Sequence, residues 1–185
     1  MASWRGAFGP VQAGDRTFGQ KAHEFRRFIE FPKHVSAPCE LALEIGPGDD
    51  RDRAALARYD WRLVNPQTVA GDPEAFRNYV QQSGAEFSVA QGIYVDTCSG
   101  WFSDRSVRYL ASGKPVLIQD TGLGGMLPVG RGLVVFRTME DAVAGAETIL
   151  DNYAEHCRAA RKVAEEQFDS DIVLSRFAAE TGIAP

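Results

Sequence analysis

The amino-acid sequence predicts an α/β fold: a parallel sheet of about six strands, helices on both of its faces, and further helices at the C-terminal end. Three observations predict it. Apolar runs of strand length alternate with amphipathic helical segments almost from end to end. The central runs crowd Val, Leu and Ile without polar alternation, as strands covered on both faces do. Helix start and stop signals punctuate the chain between those runs, so strand and helix follow one another through short connections.

The first strand is the short run Ala2–Trp4, and the loop Arg5–Gln20 follows it. A helix over Lys21–Glu30 places Phe25, Phe28 and Ile29 one turn apart, and Pro32 supplies its stop. Cys39–Ile45 is the second strand, and the loop Gly46–Asp50 opens a helix over Arg51–Arg58. Asp49, Asp50 and Asp52 read there as helix-capping carboxylates rather than metal ligands, because no His or Cys accompanies them. After the third strand, Trp61–Val64, the run Asp72–Pro73–Glu74 gives an N-cap, a first-turn proline and a carboxylate favoured by the helix dipole. They start a helix over Glu74–Gln82. The fourth strand, Glu86–Gln91, runs into the loop Gly92–Ser103; Ser103 caps Asp104–Ser112 and Gly113 ends that helix. Pro115–Asp120 and Leu133–Phe136 are the last strands, joined through Thr121–Arg131. Thr138 with Asp141 three residues on resembles a capping box for a helix to about Tyr153. Ala154–Gln167 and Ser170–Thr181 complete the chain, with a break at Phe168–Asp169, and Met126 and Met139 read as core.

With 185 residues the chain, 1–185, has the size of one domain and can bury a real core. Twenty Lys and Arg against 25 Asp and Glu leave a net charge of −5, which speaks against a dedicated nucleic-acid binder. Cys39, Cys98 and Cys157 are odd in number and form no CxxC pair, so a reducing, cytoplasmic setting is expected rather than a disulfide or zinc scaffold. No apolar run approaches the ~18 residues of a membrane span, and no signal-peptide pattern is present.

In parallel sheets of this kind ligands bind outside the carboxyl ends of the strands. The loop Asp96–Ser103 is rich in small residues and ends at a helix N-terminus, where backbone amides and the dipole favour an anion. Trp101 and Phe102 offer flat faces to a base or sugar, or else belong to the core. In the first loop Arg5 and Lys21 flank Gly6, Gly9 and Gly14, an arrangement suited to a diphosphate, or else they are solvated surface charges. His23 reads as a surface or supporting residue. Gly122–Leu123–Gly124–Gly125 is a pocket-lining turn rather than a dinucleotide fingerprint, because a strand rather than a helix follows it.

Taken in order, these residues resemble a family. Ser99–Gly100–Trp101–Phe102–Ser103 and the run Tyr109–Val116 are similar to the donor-site segment of GT-B glycosyltransferases, a small-residue loop, a helix, then an A-x-G-x-P-V turn into a strand. The resemblance extends from Trp4 to about Phe177. It implies a Rossmann-like domain equivalent to the C-terminal half of such an enzyme, binding a nucleotide-diphosphate sugar. By that likeness Arg5 and Lys21 hold the diphosphate, and Ser99, Gly100 and Ser103 supply backbone or hydroxyl donors near Trp101. Gln91 and Tyr94 lie near the base, and Asp120, Thr121 and Gly122 meet the sugar. No metal or further cofactor is required. Two glutamates that many relatives carry are replaced by Gly100 and Arg108, so ribose contacts and sugar identity stay open. In two-domain relatives the other domain binds the acceptor and usually brings the general base. The implied partners here are therefore a nucleotide-sugar and a separate acceptor-binding domain or chain; no catalytic residue is assigned, and transfer by this chain alone is not expected. The alternative is a non-catalytic α/β binding or assembly module, which would favour a homodimer. A nicotinamide-dependent oxidoreductase ranks third.

Overall fold

The computed structural model describes residues 2–5 and 9–183. Parallel pairing joins β1 (Ala2–Ser3), β4 (Glu40–Glu44) and β5 (Arg62–Val64) in the order β1-β4-β5. It also joins β6 (Glu86–Ser88), β7 (Val116–Gln119) and β8 (Leu133–Phe136) in the order β6-β7-β8. The α/β class therefore holds, and each expected strand is present: Leu133–Phe136 as expected, the others shorter, with Glu86–Gln91 ending at Ser88. Hydrogen bonding groups the six in two sheets of three rather than in one six-stranded sheet.

The alternation of side chains along β7 explains why helices cover both faces. Leu117 points into one core with Trp4, Phe25, Phe28, Phe31, Leu41, Leu43, Trp61 and Phe136. Val116 and Ile118 point the other way, to Val80, Tyr109, Leu110, Ala160 and Val163. The first core belongs to both sheets. Phe87 of β6 stacks on Phe31 at 4.3 Å and on Phe136 at 5.2 Å, while Phe25 leans on Trp61 at 5.2 Å. Full burial of one such ring stabilises the fold by about 2–3 kcal/mol.

The helices follow their signals. They are α1 (Lys21–Arg26), α2 (Asp50–Arg58), α3 (Pro66–Ala70), α4 (Pro73–Gln82), α5 (Gly92–Asp96), α6 (Asp104–Ala111), α7 (Met139–Asp151), α8 (Tyr153–Gln167) and α9 (Ser170–Thr181). The side chains of Asp72, Ser103 and Thr138 accept from Ala75, Arg105 and Asp141 amides, so three expected caps are made. Gly132, at φ +74°, lets α8 approach β8: a Cβ there would lie 2.2 Å from the Ala160 nitrogen. All of α9 lies at the surface, with Leu174 63% and Phe177 57% exposed. No helix among the described residues is long and apolar enough to cross a membrane.

Several expectations are corrected. The loop Arg5–Gln20 contains a hairpin, β2 (Val11–Ala13) against β3 (Arg16–Phe18), closed by Gly14–Asp15 with glycine at the first turn position. Gly6 lies outside the described residues. The helix expected to Glu30 ends at Arg26, because Arg27, Phe28 and Phe31 donate to carbonyls three residues back, at 2.9–3.1 Å. Pro32 sits inside the resulting tight turn, Phe31–Lys33, rather than stopping a helix. The five-residue helices α3 and α5 occupy stretches expected to be connections, although Asn65, which caps Gln67 N at 2.9 Å, and Pro66 are a helix-start pair. Met126 is 66% exposed, not core, whereas Met139 packs on the first core.

Candidate functional site

The loops beyond the strand ends are tied to one another by their backbones. Gly92 N donates to Gly19 O at 3.0 Å, joining the segments before α1 and after β6. Gly100 N donates to Thr121 O at 2.7 Å, and Thr121 Oγ1 donates to Trp101 O at 2.7 Å, joining the loops after β6 and β7. Gly122 is a glycine for a reason: its φ is +93°, and a Cβ would stand 2.9 Å from Cys98 O. Thr121 is wholly buried and serves as this tie, while Gly122 gives the loops room to close.

Around that junction the expected residues Tyr94, Ser99, Gly100, Trp101 and Ser103 come together. Trp101 stacks on Tyr94 with centroids 5.0 Å apart and planes 6° from parallel. Ser99 Oγ accepts from Trp101 N, and buried Ser103 Oγ accepts from Arg105 N, both at 3.3 Å. Phe102 stacks on Phe168 instead of facing the loops. Gln91 is exposed at the N-cap of α5. Asp120 is occupied: Oδ1 accepts from Gly122 N and Leu123 N, and Oδ2 from Arg137 Nε at 2.9 Å. Burial opposes ionisation there, yet those amides and the guanidinium hold the carboxyl below the usual range.

The cations fall into two clusters. Arg5 Nε donates to Asp49 Oδ1 at 2.7 Å beyond β1 and β4. Beside it Asp52 accepts from Arg26 at 2.7 and 2.8 Å and from Trp4 Nε1 at 2.7 Å. Asp49 and Asp52 are thus ion-pair partners, and the capping reading fails because Asp49 makes no side-chain cap at α2. Lys21 belongs elsewhere. Its residue is half-buried and its amino group lies inside, where burial and then the charge of Arg105 bring its pKa down to about 7 against the pull of Glu86. The two cations expected to flank one diphosphate therefore have different neighbours. His23 Nδ1 accepts from Gln20 N at 3.0 Å, a helix-start role. Among the described residues no group of three or more His, Cys, Asp or Glu could hold a metal.

Sequence reasoning did not bring together the residues that line a cavity on the other side of α6 from the core. It has a volume of about 960 Å³ and runs between α3–α4 and α6, with Gln67, Phe76, Arg77, Val80, Arg105 and Arg108 among its walls. Arg105 Nε donates to Glu86 Oε1 at 2.5 Å and Nη2 to Ser88 Oγ at 3.1 Å, forking onto one face of β6. Arg108 donates to Asp104 at 2.6 Å, and its guanidinium lies 5.5 Å over the Phe76 ring. Glu86 is 5% exposed, and its second oxygen, Oε2, has no hydrogen-bond partner. Arg105 and Arg108, three apart, share a face of α6. That spacing was the available signal.

No family model matches the chain, and no solved structure matches it. Among curated proteins it is similar to phosphoribosylamine–glycine ligase of Streptococcus pyogenes serotype M1, 28% identical over 167 residues. The match covers 86% of this chain and 36% of that protein, so the chain spans about a third of its relative's length.

Proposed function

We propose that this chain is the nucleotide-sugar donor-binding part of a glycosyltransferase, completed by an acceptor-binding domain or chain. One observation carries the reading: Arg105, in the first turn of the Ser103-capped helix, opens on a cavity of about 960 Å³ walled by two further arginines. Pockets for small ligands span roughly 300–1,000 Å³. Guanidiniums meet phosphate oxygens as forks, and a helix start adds backbone donors. The aromatic wall at Phe76 suits a base. A leaving diphosphate held this way has its developing charge stabilised without a metal. Arg5 and the Ser99–Ser103 loop lie outside the walls of this cavity, and Thr121 and Gly122 support that loop.

A thermal-shift panel tests this reading, with UDP, GDP, TDP, ADP, their common sugars and NAD, each with and without Mg²⁺. Ribose 5-phosphate joins it, because the similar ligase is named for a phosphoribosyl compound. A diphosphate at ~100 times its dissociation constant adds ~2.7 kcal/mol, a shift of several degrees. The expected outcome is a selective shift with one base, independent of Mg²⁺; no shift with any nucleotide at millimolar concentration overturns the reading. A second reading, an assembly module, is favoured by the exposed Leu174 and Phe177 of α9.

A further inference from the structure

Helices α8 and α9 carry the same charge spacing and use it differently. In α8 each basic residue that stands four before a glutamate closes onto it, Arg161 on Glu165 at 2.7 Å and Lys162 on Glu166 at 3.6 Å. Arg176 and Glu180 of α9 have the same order and spacing, yet neither side chain has an ion-pair partner among the described residues. Both lie on one flank of an apolar stripe. Val173, Leu174 and Phe177 recur along it at three- and four-residue steps, with the small residues Ser170 and Thr181 at its ends. The three apolar side chains are exposed, as is Ile183 just beyond the Gly182 cap, and α9 gives no residue to either core.

We propose that this face of α9 pairs with α9 of a second copy of the chain, antiparallel about a two-fold axis level with Ala178. In an antiparallel pair the same flank of both helices meets, so each charge is used twice. That register sets Arg176 of each copy opposite the partner's Glu180. It also brings the two Phe177 rings together across the axis, Leu174 beside the partner's Thr181, and Val173 beside the partner's Ile183. One register thus meets the charges and covers the stripe. A parallel pair would bring the other flank, Ser175 and Ala178, to Arg176 and leave its charge unanswered. Twelve residues of helix span about 18 Å, so the contact falls at the low end of specific interfaces and the dimer is weak and reversible. The inference stands apart from the donor-site reading, because the cavity between α3–α4 and α6 takes no wall from α9.

Sedimentation velocity of the full chain, from about 5 to about 500 μM, reads the association directly. The expected outcome is a reversible passage from the mass of one chain to that of two. The double variant Leu174→Gln with Phe177→Gln changes exposed positions only, so it is expected to keep the wild-type melting temperature and to stay monomeric throughout. Arg176→Glu or Glu180→Arg alone sets like charges opposite each other and is expected to weaken association about tenfold, whereas the two together restore it. A wild-type chain that is monomeric at every concentration leaves the face to a different protein and overturns the self-pairing. So does a dimer that survives the Leu174 and Phe177 changes. A dimer that ignores the single charge reversals, or that the combined reversal fails to restore, overturns the antiparallel register. The nucleotide panel run on the monomeric double variant reports on the donor site alone.

Discussion

Two charge clusters flank the strand ends, and they differ in a way that separates architecture from chemistry. In the first, every carboxylate has its cation: Asp49 takes Arg5, and Asp52 takes Arg26 together with the Trp4 indole. Both guanidiniums are partly in water, with side chains 47% and 39% exposed. In the second, the side chains of Arg105 and Glu86 are 17% and 4% exposed, and one carboxylate oxygen is orphaned. Balanced, wet pairs fix loops at small energetic consequence. An unbalanced, dry cluster is costly to keep, which makes it the better candidate for ligand chemistry.

The sharpest way to break this contrast is Glu86→Ala. Leaving Arg105 without its buried partner is expected to cost about 3–5 kcal/mol in urea unfolding; a loss below 1 kcal/mol would mean that the second cluster is no drier than the first. Next is Lys21→Met, whose sign depends on pH. The folded protein holds this amine at about 7 and the unfolded chain at 10.5, so native Lys21 binds fewer protons between those values and wild-type stability rises there. The variant is therefore expected to be more stable than wild type at pH 6–7, with the advantage shrinking by about 1.4 kcal/mol per pH unit toward pH 10. Parallel denaturation curves at four pH values check it.

Asp52→Asn probes the balanced cluster, with an expected loss of about 1 kcal/mol at neutral pH. The hydrogen bonds from Arg26, and secondarily that from Trp4, hold the Asp52 carboxyl below its ordinary 3.8 against burial. Its contribution is complete above that value and disappears as pH falls through the depressed one, so wild type and variant should converge in acid. Arg5→Ala is the smallest: buried Asp49 loses a half-exposed cation, and the expected loss is under about 1 kcal/mol in urea unfolding.

What could be read in the sequence was what depends on neighbours along the chain. The caps at Asp72, Ser103 and Thr138 formed because a side-chain oxygen needs only an amide two or three residues on. The strands at Leu117 and Val134 declared themselves by apolar runs bounded by turns. Three-residue strands, as at Val11–Ala13, are too short for a periodic signal. The ion pairs were invisible for another reason. Glu86 and Arg105 lie 19 positions apart, and Asp52 and Trp4 48, and no local pattern relates them. Reading Asp49 and Asp52 as caps followed from seeing only their own helix. In the candidate site, Tyr94, Trp101 and Ser103 were legible as one loop, whereas the cavity wall drew on α4 and α6, which meet only in three dimensions.

The surface position of α9 also sets a clock. A twelve-residue helix with no buried residue has little beyond its own hydrogen bonds to hold it, and helices of that length are marginal in water. Its amides should open and reclose on the helix–coil timescale of about 0.1–1 μs. Those of β7, buried at every position, should exchange only when the whole structure opens. Hydrogen exchange on one molecule would therefore run at two rates, and covering Leu174 and Phe177 would slow the faster.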